Sequence, residues 1–480
     1  MINDTNSNEG SESENLKPLT AVELSSEEKN DYLKYIFFKN IKTNIIIILF
    51  SIAVLVSEIF YRDALFNYSL TFEADWQNYS SESTKVFFKI ITKVGGEYLM
   101  GLPVAFVTCF CSLIKSSVFI AGLIFCLHFH SMMKIWYGSS RPFWENIDLY
   151  KGICDGGFGN PSGHSITSAY LYLTLFMYIK DSHFLKGKTI AKIIIFLLFL
   201  TYIILIILSR LILGVHSINQ VIYGSTLGVI VMIFSVYVLK LHKMPIVFYK
   251  RLFKEKLIIF CVTTILILLT ITSVLSVIIF NNEFDYTKYE EILSKTCGDS
   301  LPKYRKFNYD GLFGAFTVLS LLGMYLGQIV FWYLIDNRYK KYNSNIDFTK
   351  TDSDNFKASL SNDSSKDEEN NELLDNLINN WNKNRRLLFG SYWNVIKIII
   401  VLSLCMSPLL LFFLVSKDAD MAIIFIYKFG IPFFAVLFFI FSFGFYYFIR
   451  ISCGTKEDLL KTEFLLNERN LSLSSFDDNI

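Results

Sequence analysis

Between Lys134 and Gln220, three short polar signatures interrupt otherwise apolar sequence. The first is Lys134, six intervening residues, then Arg141-Pro142. The second is Pro161-Ser162-Gly163-His164. The third is Ser209-Arg210, five intervening residues and His216, with Gln220 four positions beyond the histidine. These residue types suit an anionic phosphate group. Arginine forks and a lysine point charge hold its oxygens, and Lys134, Arg141 and Arg210 supply them. Ser162 and the backbone amides of Gly163 and His164 stand where a loop enters a helix, a natural anion site. Gly163 also permits close backbone approach. His164 and His216 remain. A neutral imidazole can attack phosphorus while a protonated one donates to the leaving oxygen, and fixed cations stabilise the charge on the equatorial oxygens. No cluster of Asp and Glu accompanies the signatures, so no metal or other cofactor is implied.

Taken singly, each residue has a plainer explanation. An Arg or Lys at a helix end is usually a snorkelling anchor, and a lone interfacial His is usually a hydrogen-bonded structural residue. Taken jointly, ten specified residues in three strict spacings, in order, need a common explanation. The elements around them decide whether they can share one face.

The chain has 480 residues, 52% of them hydrophobic, 16% aromatic and only 18% charged, with a mean hydropathy of +0.41. Apolar runs of about 20 residues recur, the length needed to cross a bilayer core. Burying so many all-apolar helices in one soluble core is not feasible at this size. The expected fold class is therefore all-α, a polytopic helical membrane protein whose first partner is the lipid bilayer. A net charge of +2 gives no argument for nucleic acid. The eight cysteines are scattered, with neither zinc-type spacing nor a secreted disulfide framework.

In chain order, residues 1–40 are expected to be a disordered tail without the basic-then-apolar start of a signal peptide. Spans are expected at Asn44–Phe60, Tyr98–Ile114, Ser117–Lys134, His164–Ile179, Ile190–Leu208 and Ser217–Leu239, forming a six-helix core within 41–240. Residues 61–96 read as a polar loop with two glycosylation sequons, at Asn67 and Asn78, and an interfacial helix over Thr84–Lys93. Further spans at Leu257–Phe280, Gly311–Ile335, Trp393–Val415 and Ala422–Ile449 extend the membrane region over 241–450, with a hydrophilic insert at 336–390 and a polar tail at 451–480. The total is about ten spans by hydropathy.

Basic residues mark alternate loops: the N-terminal flank, Lys115, Lys180 to Lys192, the 240–256 connector and the insert at Arg338, Lys340 and Lys341. The positive-inside rule places these loops and both termini in the cytosol. All three signatures then fall together on the luminal or extracellular face.

The spacing of these signatures resembles the three-part motif of the type 2 phosphatidic acid phosphatase superfamily, which includes lipid phosphate phosphatases, glucose-6-phosphatases, dolichyl diphosphatases and vanadium haloperoxidases. The resemblance covers roughly residues 97–240. It implies a helical core in which His216 is the nucleophile that forms a phosphohistidine and His164 is the general acid. Lys134, Arg141, Ser162, Gly163 and Arg210 would bind the phosphate. The commonest family pattern has Asp four residues after the nucleophile, where this chain has Gln220. A glutamine can orient the imidazole but supplies no charge; glucose-6-phosphatases and dolichyl diphosphatases are similar in having Gln there. Arg141-Pro142-Phe143-Trp144 and Cys154 resemble glucose-6-phosphatase, whereas three spans before the first signature resemble the lipid phosphatases.

The resulting expectation is a metal-independent phosphatase of an endomembrane such as the endoplasmic reticulum, acting on a lipid phosphate or a sugar phosphate such as glucose 6-phosphate. A phosphotransferase, and a non-catalytic phospholipid-binding protein motivated by Gln220 and the insert, are the competing readings. A transporter ranks below both, because no charged residues stand mid-span in paired broken helices.

Overall fold

The computed structural model describes residues 41–93, 101–149, 157–180, 182, 185–244, 246–283, 287–297, 309–345 and 430–444. The two tails, the expected span Trp393–Val415, Cys154 and most of the insert lie outside the described residues. Among the described residues every regular element is helical: α1 Ile41–Tyr79, α2 Glu82–Lys93, α3 Gly101–Phe110, α4 Leu113–Tyr137, α5 Pro142–Glu145, α6 Gly163–Ile179, α7 Thr189–Ile212, α8 Ile218–Ile233, α9 Ile246–Arg251, α10 Lys256–Glu283, α11 Thr287–Cys297, α12 Tyr309–Asn345 and α13 Ile431–Phe439. Six segments among these residues are long and apolar enough to cross a membrane: Ile41–Tyr79, Leu113–Glu145, Thr189–Ile212, Ile218–Lys243, Lys256–Ser276 and Phe313–Asn337.

Contacts divide the chain into Met1–Leu49 and Phe50–Ile480. In the first unit, the described residues are the opening turns of α1, with Ile41, Ile45, Ile46 and Leu49 exposed.

The largest departure from the sequence expectation is α1. Residues 61–79 continue it as helix where a polar loop was expected, giving 39 residues, or about 58 Å of helix, nearly twice a hydrocarbon core. Its buried positions are Ser51, Glu58, Ser69, Glu73 and Gln77, all polar. Its outward positions include Phe50, Ile52, Val56, Ile59 and Phe60. The polar stripe faces protein and the apolar stripe faces outward, the inverse of a soluble amphipathic helix. Polar character at 61–79 thus marks a protein-facing stripe, not a loop. The interfacial helix expected at Thr84–Lys93 is present as α2, with Val86, Phe87 and Ile90 exposed and Phe88 and Thr92 buried.

Local chemistry fixes where the core helices start and stop. Ser112 caps α4 by accepting the Lys115 amide proton, and Gly138 ends it in the left-handed region at φ 55°, its N–H bonded to Lys134 O. That conformation favours glycine, and it turns the chain out of the helix directly after Lys134. Gly214, at φ 65°, does the same after α7. Ser217 and Gln220 form a reciprocal capping box at the start of α8.

Helix α6 lies against α4, α7 and α8. It packs around Phe119, Leu123, Cys126, Ile166, Tyr170, Tyr223 and Leu227. Its approach to α8 is close because Gly224 and Gly228 form a small-xxx-small pair: a methyl on Gly224 would lie 2.6 Å from Ser162 O, and one on Gly228 would collide with Ile166 O. Tight backbone contact through such pairs replaces the hydrophobic drive that lipid removes. A second pair, Gly323 and Gly327 on α12, meets the backbone of α13 at Phe434 and Phe438 in the same way. Helices α4, α12 and α13 share a further apolar cluster with Tyr249 and Phe253.

At the basic end of the bundle, the Lys115 ammonium stands 5.6 Å from the Tyr178 ring centroid, and that ring stacks on His242 at 5.8 Å. Lys250 and Lys254 both pair with Asp336 at the start of the insert, which α12 continues as helix to Asn345. The signature loops are at the other ends of these helices. Gly228→Ala is expected to destabilise the bundle by about 1–3 kcal/mol through overpacking, read as a lower thermal midpoint in detergent, whereas Gly101→Ala, with nothing within 4 Å and no left-handed backbone, serves as the unpacked comparison.

Candidate functional site

Three loops meet at the ends of α4, α6, α7 and α8. Gly159 N–H donates to Ser139 O at 2.8 Å, Ser162 N–H to Gln220 O at 3.1 Å, and Phe143 N–H to Gly214 O at 3.3 Å. The three signatures are thereby laced together by backbone bonds. An apolar cap of Phe143, Trp144, Leu149, Phe158, Leu213, Val215 and Leu293 packs over them, with Tyr289 of α11 lying 5.2 Å from the Trp144 ring.

Arg141 is fully buried. Its Nε donates to Gly157 O at 2.6 Å, Nη2 to Phe158 O at 3.2 Å and Nη1 to Val215 O at 2.9 Å. The guanidinium therefore staples the second signature's approach to the third, which is how its burial is tolerated. The same Nη1 lies 3.2 Å from His216 Nε2. A guanidinium can only donate, so Nε2 accepts.

The other ring nitrogen of His216 agrees. Its Nδ1 lies 3.1 Å from Gln220 Oε1. Gln220 Nε2 donates to Ser140 O at 2.8 Å, and Oε1 also accepts from Ser217 N–H at 3.3 Å. These two bonds fix which way the amide faces, so Oε1 is the acceptor and His216 carries its proton on Nδ1. Nε2 keeps its lone pair. Two independent partners thus specify one tautomer.

Burial first, and then the charges of Arg141, Arg210 and Lys134, hold His216 well below the ordinary imidazole value of 6.5. All three expected cations therefore bear on this one ring. Lys134 is buried in the last turn of α4. Arg210 is buried in the last turn of α7, where its Nη1 donates to Thr92 Oγ1 at 2.6 Å and its carbonyl accepts the His216 amide at 3.3 Å.

The second signature supplies the helix terminus. Ser162 is the fully buried N-cap residue of α6, and its Oγ accepts from Ser165 Oγ at 3.0 Å, which leaves its own O–H to donate. Gly163 and His164 follow as the first two helical residues, His164 half-buried. A methyl on Gly163 would stand 2.6 Å from His130 Nε2, so any side chain there would have to displace the His130 ring.

Several participants went unread in the sequence. Ser69 Oγ accepts Ile218 N–H at 2.8 Å. Gln77 Nε2 donates to Leu149 O at 3.2 Å and Ile212 O at 2.9 Å. Thr92, His130 and Ser140 lie against the signatures, and Asn160, next in the chain to Pro161, bonds Glu58. Ser217-x-x-Gln220 was a readable capping-box signal; the others carry none, because their partners are more than 30 residues away in the chain.

The arrangement offers a neutral imidazole whose unprotonated Nε2 faces Arg141, three cations around it, and a helix N-terminus with a hydroxyl donor. Such a set binds an oxyanion and presents a nucleophile to it. Comparison with known proteins bears on this reading. Residues 106–243 match the family model described as "PAP2 superfamily". No curated protein matches the chain. One solved structure similar to it is described as the first transmembrane PAP2 type phosphatidylglycerolphosphate phosphatase from Bacillus subtilis. It is 17% identical over 40% of this chain and 93% of that one, with a TM-score of 0.34, a likeness too distant to carry an argument. The matched region contains all three signatures and the helices that bring them together, and the chain is a helical integral membrane protein.

Proposed function

We propose that this protein is a membrane phosphatase that hydrolyses a phosphate monoester, of a lipid or of a sugar such as glucose 6-phosphate, in two steps through a phosphohistidine. The observation that carries the proposal is the His216 tautomer: Nδ1–H bonded to Gln220 and Nε2 unprotonated among three cations. His216 Nε2 attacks phosphorus, forming a P–N bond as the P–O bond to the alcohol breaks. Protonated His164 gives its proton to the leaving oxygen. His164 then takes a proton from water as that water attacks phosphorus, releasing phosphate and restoring His216. Lys134, Arg141, Ser162, Gly163 and Arg210 hold the equatorial oxygens, the largest expected contribution to phosphoryl transfer. The first half-reaction requires neutral His216, and the loss of the commoner Asp does not remove it, because Gln220 supplies the orienting acceptor.

The positive-inside pattern supports cytosolic termini and a site on the luminal or extracellular face, with an endomembrane such as the endoplasmic reticulum as the compartment. An alcohol in place of water in the second step would make the protein a phosphotransferase; label appearing in lipid in place of free phosphate separates the two.

His216→Ala is expected to lower phosphate release by on the order of 10³-fold or more across a panel of glucose 6-phosphate, phosphatidic acid, sphingosine phosphate and dolichyl diphosphate. Unchanged release would favour a binding protein. Acid-labile, base-stable label should also be trapped on the wild type and not on this variant.

The pH profile of kcat/KM should be bell-shaped. Its acidic limb reports protonation of His216 and lies below 6.5, since burial and the cations depress that group. Activity is lost as pH falls through the depressed value. Lys134→Met removes one of the depressing charges, so the acidic limb should move to higher pH while the overall rate falls. An acidic limb that stays in place would contradict the electrostatic account of Lys134.

Gln220→Leu should lower kcat by about 10- to 100-fold, the usual effect of deleting a partner that orients a reactive group, with a smaller change in KM. Comparing single-turnover rates of the two proteins checks it.

A further inference from the structure

Helix α1 lies outside the matched PAP2 region, yet it carries an ion pair between a buried carboxylate and a half-buried guanidinium that reaches the loop before Gly163. Glu58 is fully buried. Arg62 Nε lies 3.0 Å from both of its carboxylate oxygens, and Nη2 lies 2.7 Å from Oε2. A carboxylate in such a place is tolerated only when paired and fully hydrogen-bonded. A further bond comes from Asn160 Nδ2, at 2.9 Å to Oε1. Asn160 is itself fully buried and immediately precedes Pro161-Ser162-Gly163-His164.

The other half of the pair reaches the remaining signatures. The Arg62 guanidinium stands 4.1 Å from the Tyr137 ring centroid, and Tyr137 ends α4 three residues after Lys134. Tyr137 Oη donates to Tyr223 Oη at 3.3 Å, on α8 three residues beyond Gln220. An ion pair present only to support its own helix would need neither Asn160 nor the aromatic stack, and exposed pairs of that kind contribute little.

We infer that Glu58 and Arg62 are positioning residues of the phosphate site. Glu58 holds Asn160, and with it the entry of the loop into the helix N-terminus at Gly163 and His164. Arg62 fixes Tyr137, and with it the last turn that carries Lys134. The inference rests on the proposed phosphatase reading and deepens it, because it makes a helix outside the recognisable domain part of its active site. Neither residue touches the reacting atoms.

The hold on Asn160 runs through its Nδ2 alone: its Oδ1 has no hydrogen-bond partner among the described residues. Exchanging donor and acceptor therefore tests it. Asn160→Asp sets a second carboxylate against Glu58 and should lower kcat/KM by about 100-fold, and Glu58→Gln by about tenfold, within the usual coupling between neighbours. The double variant Glu58→Gln with Asn160→Asp restores one donor, one acceptor and the original net charge. It should recover at least about tenfold over Asn160→Asp, most of it in kcat, together with the inhibition constant for inorganic phosphate. Losses that simply multiply in the double variant would overturn the inference, since a merely structural Glu58 predicts no recovery. Where Asn160→Asp fails to accumulate as folded protein, accumulation of the double variant supports the exchange and its absence overturns it. A wild type that releases no phosphate from any substrate overturns the phosphatase reading and this inference with it; an active wild type with multiplying losses overturns this inference alone.

Discussion

One amide joins the three polar segments. Gln220 Oε1 accepts from His216 Nδ1 and from Ser217 N–H in the third signature, its Nε2 donates to Ser140 O beside Arg141 in the first, and its backbone carbonyl accepts Ser162 N–H in the second. Gly159 has no side chain because one would occupy the space of this glutamine, with Oε1 2.6 Å from where a methyl would sit. A carboxylate could orient the imidazole and cap the helix, but it could not donate to Ser140 O. The residue that departs from the commonest pattern of the superfamily its signatures resemble is thus the one on which the local architecture converges, and its amide polarity is used at both ends.

The electrostatics follow from that geometry. Three cations bearing on one buried imidazole favour its neutral form, and the Gln220 contact selects which nitrogen keeps the proton. Asp at this position would raise the imidazole's proton affinity and oppose the cations; Gln leaves their effect intact. Arg141 satisfies its own burial by bonding three backbone carbonyls. Its charge therefore acts on the site from a fixed position and costs little reorganisation when an anion arrives, the condition under which electrostatic stabilisation is most effective.

The candidate site was legible because its residues stand in strict local spacings: Lys134 and Arg141, Ser162 to His164, Arg210 and His216. The helices that carry them were also readable, since apolar length alone marks a span. The boundaries were less so. Residues 61–79 looked like a loop because Arg62, Asp63, Glu73 and Asp75 lower the local hydropathy, whereas burying one polar stripe allows a helix to continue through them. Four of the ten expected spans do not stand among the six long apolar helices: α3 and α6 are shorter, α13 is described over only part of its expected length, and one lies outside the described residues. The contacts of Glu58 with Asn160 and of Arg210 with Thr92 join residues more than a hundred positions apart, and no periodicity in the sequence encodes them.

A bilayer explains why structure and site share so many residues. Lipid is as apolar as the side chains it touches, so burial of leucine and isoleucine does not drive helices together there; close glycine contacts and interhelical polar bonds do. The outward face of α1 is accordingly apolar, and Glu58, Ser69 and Gln77 on its inward face are spent on Asn160, on the start of α8 and on the loop carbonyls of Leu149 and Ile212. Each of these bonds attaches the helix to the bundle and, by the same contact, fixes a backbone segment next to a signature. In a soluble enzyme the core can hold the fold while polar residues serve the site. Here the polar contacts have both roles, so docking of α1 and ordering of the loop before Gly163 are one event, and a substitution that loosens the first must disturb the second.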